Sequence, residues 1–173
     1  MILGVHAIIG GAIGSALETN PETTLLLGWF SHYFFDFVPH WDYCLRSAQI
    51  DINNPLNNDL SRGRDFYYDL VKLGLDAFLG LVFAVLFFVN LMRPENLVSV
   101  LAGAVGALLP DFLQFIYIRL RSEPFTSLQK IHNWAHSSHR QLNKKPLLGF
   151  LLQLLVIFLA FFVGNWRFFC LFY

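Results

Sequence analysis

Residues 147–164 run for the length of a bilayer without one acidic or basic side chain, and such a run leaves a chain few folds to choose from. Lipid offers no water to the backbone N–H and C=O groups, so a segment of this kind satisfies them internally, as a helix. Residues 73–92 make a second apolar stretch, with Asp76 near its start, enough at 1.5 Å per residue to cross about 30 Å of hydrocarbon. Residues 97–120 make a third, and 23–38 and the glycine-rich 2–17 are shorter relatives. The composition agrees: 55% of the residues are hydrophobic, only 14% are charged, and the mean hydropathy is +0.51. The expected fold is all-α, a single integral-membrane domain over 1–173 with about five transmembrane helices and one amphipathic helix over 126–142.

The polar punctuation between these runs is turn chemistry. Asn20-Pro21 and Arg93-Pro94-Glu95 read as tight turns, and residues 43–65 as a polar loop in which Asp51 and Asp59 are turn formers. Gly10 and Gly14, and the run from Ala102 to Ala107, give small-residue faces on which helices approach closely. The zero net charge argues against nucleic acid as a partner, and Cys44 and Cys170 make no disulfide framework. The N-terminus lacks the basic region and cleavage site of a signal peptide, so Met1 onward is expected to stay in the mature chain.

Against this apolar background the ionisable residues stand out. His32 and Asp36 are four apart, on one face of a helix. Pro39 then ends the segment and lets His40 and Asp42 turn back toward the same point. His132 and His136 repeat the i, i+4 spacing on the amphipathic helix, with Thr126 or Ser127 as its N-cap and His139 continuing the stripe. His6 is the one ionisable group in the first apolar run, Asp76 lies deep at the start of the third, and Asp111 follows Pro110 late in the fourth. An ionisable group inside a membrane segment is a functional candidate by default. Imidazoles and carboxylates together are a donor set for a divalent ion, zinc first, with manganese or magnesium as alternatives. The candidate ligands are His6, His32, Asp36, His40, Asp76, Asp111, His132 and His136, with Asp76, Asp111 or His40 as general base. The bland readings are local pairs, such as Lys72 with Asp69 or Asp76, and a surface helix whose histidines face phospholipid headgroups.

Five spans put Arg46, Arg62, Arg64, Arg119, Arg121, Lys130, Arg140, Lys144 and Lys145 on one side and leave only Arg93 and Arg167 on the other. By the positive-inside rule the first side is cytoplasmic, in a cell's inner membrane. The same arrangement brings the candidate ligands to one depth, toward the cytoplasmic face.

His6, Leu109-Pro110-Asp111 and His132-x-x-x-His136 resemble motifs of the bacterial membrane-bound metal-dependent hydrolases, whose last pair is spaced one residue wider. His32-Tyr33-x-x-Asp36-x-x-Pro39-His40 is similar to the metal-binding stretch of zinc-dependent phospholipases C. The resemblance implies a metal-dependent hydrolase of a lipid-like phosphoester at the cytoplasmic interface, with His32, Asp36 and His40 as metal ligands. The alternatives are a structural metal site that staples helices together and a metal or proton transporter. A transport path needs polar groups through the whole membrane, and the outer half of these spans has almost none.

Overall fold

The computed structural model describes residues 1–17, 19–89, 96–136 and 142–170, the side chains of 143 and 167–170 excepted. The chain is all-helical, with α1 (Leu3–Leu17), α2 (Pro21–Asp36), α3 (Arg64–Phe88), α4 (Leu97–Leu120), α5 (Phe125–His136) and α6 (Pro146–Cys170). Three of these, α3, α4 and α6, are long and apolar enough to cross a membrane. α1 and α2 are shorter than the five-span expectation asks. At 15 and 16 residues they reach only about 22–24 Å.

α1 is apolar all round and packs against α2, α3, α4 and α6, as a helix without a polar face must. α2 starts at Pro21, two residues before the apolar run suggests. The reason is local: the Asn20 side chain accepts from Thr23 N at 2.8 Å, and proline suits the first helical position. Its two faces are reversed relative to a soluble protein. Thr24, Gly28, His32 and Asp36 are buried at fourfold spacing, whereas Leu26, Phe30, Phe34 and Phe37 point outward. Apolar outside and polar inside is the pattern of a helix whose surroundings are lipid. The outward faces of α3 and α6 carry Phe78, Leu86, Leu147 and Phe158 in the same manner.

The closest packing is between glycines. A Cβ built on Gly10 would stand 2.1 Å from the carbonyl oxygen of Gly103, and one on Gly28 would stand 2.2 Å from the same oxygen. α1, α2 and α4 therefore meet backbone to backbone at one point. A Cβ on Gly14 would lie 2.3 Å from the Ser99 oxygen, so the contact of α1 with α4 continues a turn further.

The polar loop is more ordered than its composition predicts. Ala48–Gln49 and Asp59–Leu60 form a two-stranded antiparallel ribbon, with a 3-10 turn at Pro55–Asn57 between them. Asp51 accepts from the Asn53 and Asn54 amides, as a turn former should. Tyr117 and Arg121 at the end of α4 bind the Leu56 carbonyl and pin the loop down. Asp59 also pairs with Arg121 at 3.4 Å. The turn at Arg93, the residues His139 and Arg140, and the Arg167 and Cys170 side chains lie outside what is described.

Candidate metal centre

One helical turn from the glycine contact, each of the three helices presents a polar group. His6 precedes Gly10 by four residues, His32 follows Gly28 by four, and Ala107 and Asp111 follow Gly103 by four and eight. Because backbones touch at the glycines, these side chains are brought into one space. α5 adds His132 and His136, and the segment after Pro39 folds back to add His40 and Asp42.

Asp36 is the hub. Its Oδ1 lies 3.1 Å from His6 Nε2, and its Oδ2 lies 3.1 Å from His32 Nε2, 2.9 Å from His136 Nε2 and 3.8 Å from His132 Nε2. Asp111 Oδ1 is 3.5 Å from His132 Nε2 and 3.9 Å from His32 Nε2. His40 Nε2 is 3.1 Å from Asp42 Oδ2. The amino group of Met1 stands among the same carboxylates, 3.2 Å from Asp36 Oδ1 and 3.0 Å from Asp42 Oδ1. Three overlapping sets have donor atoms within 4.8 Å of one another: His32, Asp111, His132 and His136; His6, His32 and Asp36; Asp36, His40 and His136. Seven of the eight expected ligands come together. These buried histidine and aspartate sets can hold a metal ion.

The backbone fixes how two of the imidazoles face the cluster. His32 Nδ1 is 2.8 Å from the Ala107 carbonyl, and His40 Nδ1 is 2.6 Å from the Val38 carbonyl. A carbonyl only accepts, so each Nδ1 carries the hydrogen and the ring turns its Nε2 toward the cluster. This is the outer-shell arrangement that orients metal-bound histidines. It also sets a problem that a cation solves. His32 Nε2 and Asp36 Oδ2 are both buried and neither has a hydrogen-bond partner among the described residues, although they face each other. Two lone pairs at that distance repel unless a proton or a metal ion lies between them. Burial pushes the His132 imidazole well below the ordinary histidine value, and the His136 and His32 rings push it the same way. The shift favours the neutral imidazole, the form that coordinates metal.

Asp76, expected both as ligand and as base, is placed elsewhere. Its Oδ2 accepts from the Gly4 amide at 3.0 Å and from the Tyr43 hydroxyl at 2.7 Å. It satisfies a first-turn amide of α1. Burial and the Asp76 bond push the Tyr43 phenol well up, so it stays a donor. Lys72 does not take the expected carboxylate either; it donates to the Cys44 carbonyl at 3.3 Å and lies over the Tyr43 ring.

Two residues gain roles that the ligand expectation omits. Asp42 lies in the His32 motif and reaches His40. Burial alone would raise its carboxyl, but the His40 bond and the Met1 amino group outweigh that and hold it below the usual carboxylate range. Gln153 is the one amide within the 147–164 run of α6. It accepts from the Ile2 amide at 3.2 Å and donates to the Trp41 carbonyl at 2.9 Å, which fixes the segment carrying His40 and Asp42. A single amide inside a span was the available signal.

The cluster is not closed on every side. His6, His32, Asp36 and His40 are fully buried, but Asp111, His136 and Asp42 keep 25%, 29% and 34% of their side-chain surface exposed. Compared with protein-family models, with curated proteins and with solved structures, the chain finds no match, so the site is read from its own chemistry.

Proposed function

We propose that this chain is a membrane-embedded, metal-dependent hydrolase acting on a lipid-like phosphoester at the cytoplasmic face of a cell's inner membrane. One observation carries the reading: imidazole nitrogens and two carboxylates converge at one end of an apolar bundle and leave one flank open. Catalytic metal sites keep such a position for water, whereas structural sites are closed. The nitrogen-rich donor set suits zinc better than magnesium, which prefers oxygen. A bound divalent ion would acidify water and stabilise charge on a phosphoryl oxygen. His32, Asp36, His132 and His136 are the donors we assign to it, with His6 and His40 behind them. Asp111, at the open flank and without a hydrogen bond among the described residues, is positioned to take a proton from an attacking water. The resemblance to membrane-bound metal-dependent hydrolases and to zinc-dependent phospholipases C favours the same chemistry. The depth of the site, beside lipid-facing aromatics, favours a substrate with its ester at headgroup level.

A structural staple is the second reading, favoured by the complete burial of four of the donors and by their origin on separate segments. Purified chain, loaded in turn with zinc, manganese and magnesium, is to be assayed on a panel of phospholipids and isoprenoid phosphates. Turnover that stops on chelation and returns with metal is the expected result. A saturated metal site with no turnover on any member leaves the staple.

A further inference from the structure

The centre draws two imidazoles from α5, and α5 is built the wrong way round for a helix held only by its own protein. Around its axis Gln129, His132 and Ala135 are buried and His136 faces the cluster. Lys130, Ile131 and Trp134 lie on the opposite side, where Ile131 is 47% and Trp134 is 65% exposed. A helix docked on a soluble core turns its large apolar side chains inward. Here the inward side is mostly imidazole and amide, with Ala135, and the large apolar residues Ile131 and Trp134 face away from the protein.

That outer face is continuous with a second one. The Trp134 ring meets Phe37 edge-on with centroids 4.8 Å apart. Phe37 in turn ends the outward stripe of Leu26, Phe30 and Phe34 on α2. The belt thus runs from the bundle onto α5 without a break. Tryptophan is enriched at the level where hydrocarbon gives way to headgroups. Lys130, beside it, has a stem that can lie along apolar surface while its ammonium reaches the headgroup phosphates.

We infer that α5 is seated in the interfacial layer of the bilayer through Lys130, Ile131 and Trp134, and that the bilayer thereby holds His132 and His136 at the cluster. The inference deepens the metal-centre reading and rests on it for its consequence. The ion draws α5 from the inside, lipid retains it from the outside, and the centre is complete only in a membrane. Such a site would be at full strength in its own bilayer and weakened once solubilised.

The test uses the full chain in lipid nanodiscs with Cys44→Ser and Cys170→Ser, carrying a nitroxide at position 131 or 134. Power saturation then compares collision with oxygen, which concentrates in lipid, and with a water-soluble nickel chelate. A label at position 53 in the polar loop is the aqueous reference. Oxygen should dominate at both α5 positions and nickel at 53. Nickel access at 131 and 134 equal to that at 53, or protection from both reagents as under a protein partner or second copy, overturns the inference. Separately, the Ile131→Ser/Trp134→Ser double variant should release its metal to a chelator about tenfold faster than the parent, with helix content unchanged by circular dichroism. Equal release from a folded double variant overturns the claim that lipid holds the ligands. Absence of metal from the parent itself would instead sink the metal-centre reading, and the nitroxide result would still decide where α5 sits.

Discussion

His32 shows how much of the site is decided atom by atom. Its Nδ1 is committed to the Ala107 carbonyl, so only Nε2 is free to serve an ion. His32→Ala and Asp36→Ala should each lose most of the bound metal by elemental analysis, while His139→Ala, next to Arg140 at the end of the histidine stripe nearest the basic loop, should lose little. Retention of metal in both of the first two would refute the centre. Asp111 and Asp76 separate by the same logic. Asp111→Asn keeps volume but removes basicity, so the protein should stay folded and metal-bound while hydrolysis falls about 10²–10⁴-fold, the usual worth of general acid–base catalysis. Asp76→Asn should leave metal and turnover in place, because the amide oxygen can still accept from the Gly4 N–H, whereas Asp76→Ala, which removes the acceptor, should cost about 0.5–2 kcal/mol of stability. A metal loss in Asp76→Asn would show that its bonds to Gly4 and Tyr43 are not its main task.

At the scale of elements, the glycine contact is what turns separate helices into a site. Gly10→Ala would press a methyl against the Gly103 carbonyl, and backbone on both sides leaves nothing flexible to give way. The helices must part, at roughly 1–3 kcal/mol. His6, one turn away, must then leave Asp36. We expect lower thermal stability together with weaker metal binding, although no ligand is touched. Gly74→Ala on α3 is the control. Nothing among the described residues lies within 4 Å of the added Cβ, and alanine exceeds glycine in helix propensity by about 1 kcal/mol. Thermal melts and metal titrations of the two variants should therefore move in opposite senses or differ sharply. Equal behaviour would mean that the close approach of α1 to α4 does not set the site.

For the whole molecule the question is how the bundle sits in a membrane. The lysine and arginine distribution predicts that cysteines placed at positions 62 and 144 are labelled from the cytoplasm and one at 93 from the opposite side. Labelling of all three from one side would remove the five-span topology. Three helices meet the length for crossing, and the reversed faces of α2 argue that it, too, is surrounded by lipid. Because the donors come from α1, α2, α4, α5 and the segment after Pro39, a bound ion ties the bundle together. Chelation should lower the melting temperature of the metal-loaded protein, since a ligand bound only to the folded state stabilises it by mass action. A melt unchanged by chelation would mean that the cluster holds no ion under those conditions.

The sequence by itself determined what depends on neighbours along the chain. Apolar runs of bilayer length dictate helices, and the 97–120 helix begins and ends where its run does. Spacings of four residues put His32 with Asp36, and His132 with His136, on common faces, so the donor chemistry was legible too. The tertiary structure alone decided which groups meet. Asp76 has the same chemistry as Asp111, yet α3 packs so that Asp76 serves the start of α1, while α4 carries Asp111 to the histidines. The orienting Ala107 carbonyl has no side-chain signature, and the rotation that turns the α5 imidazoles inward and Trp134 outward is not written in its spacing. Spacing fixes what shares a face; which way that face points follows from how closely the helices approach, and here the glycines of α1, α2 and α4 set that approach.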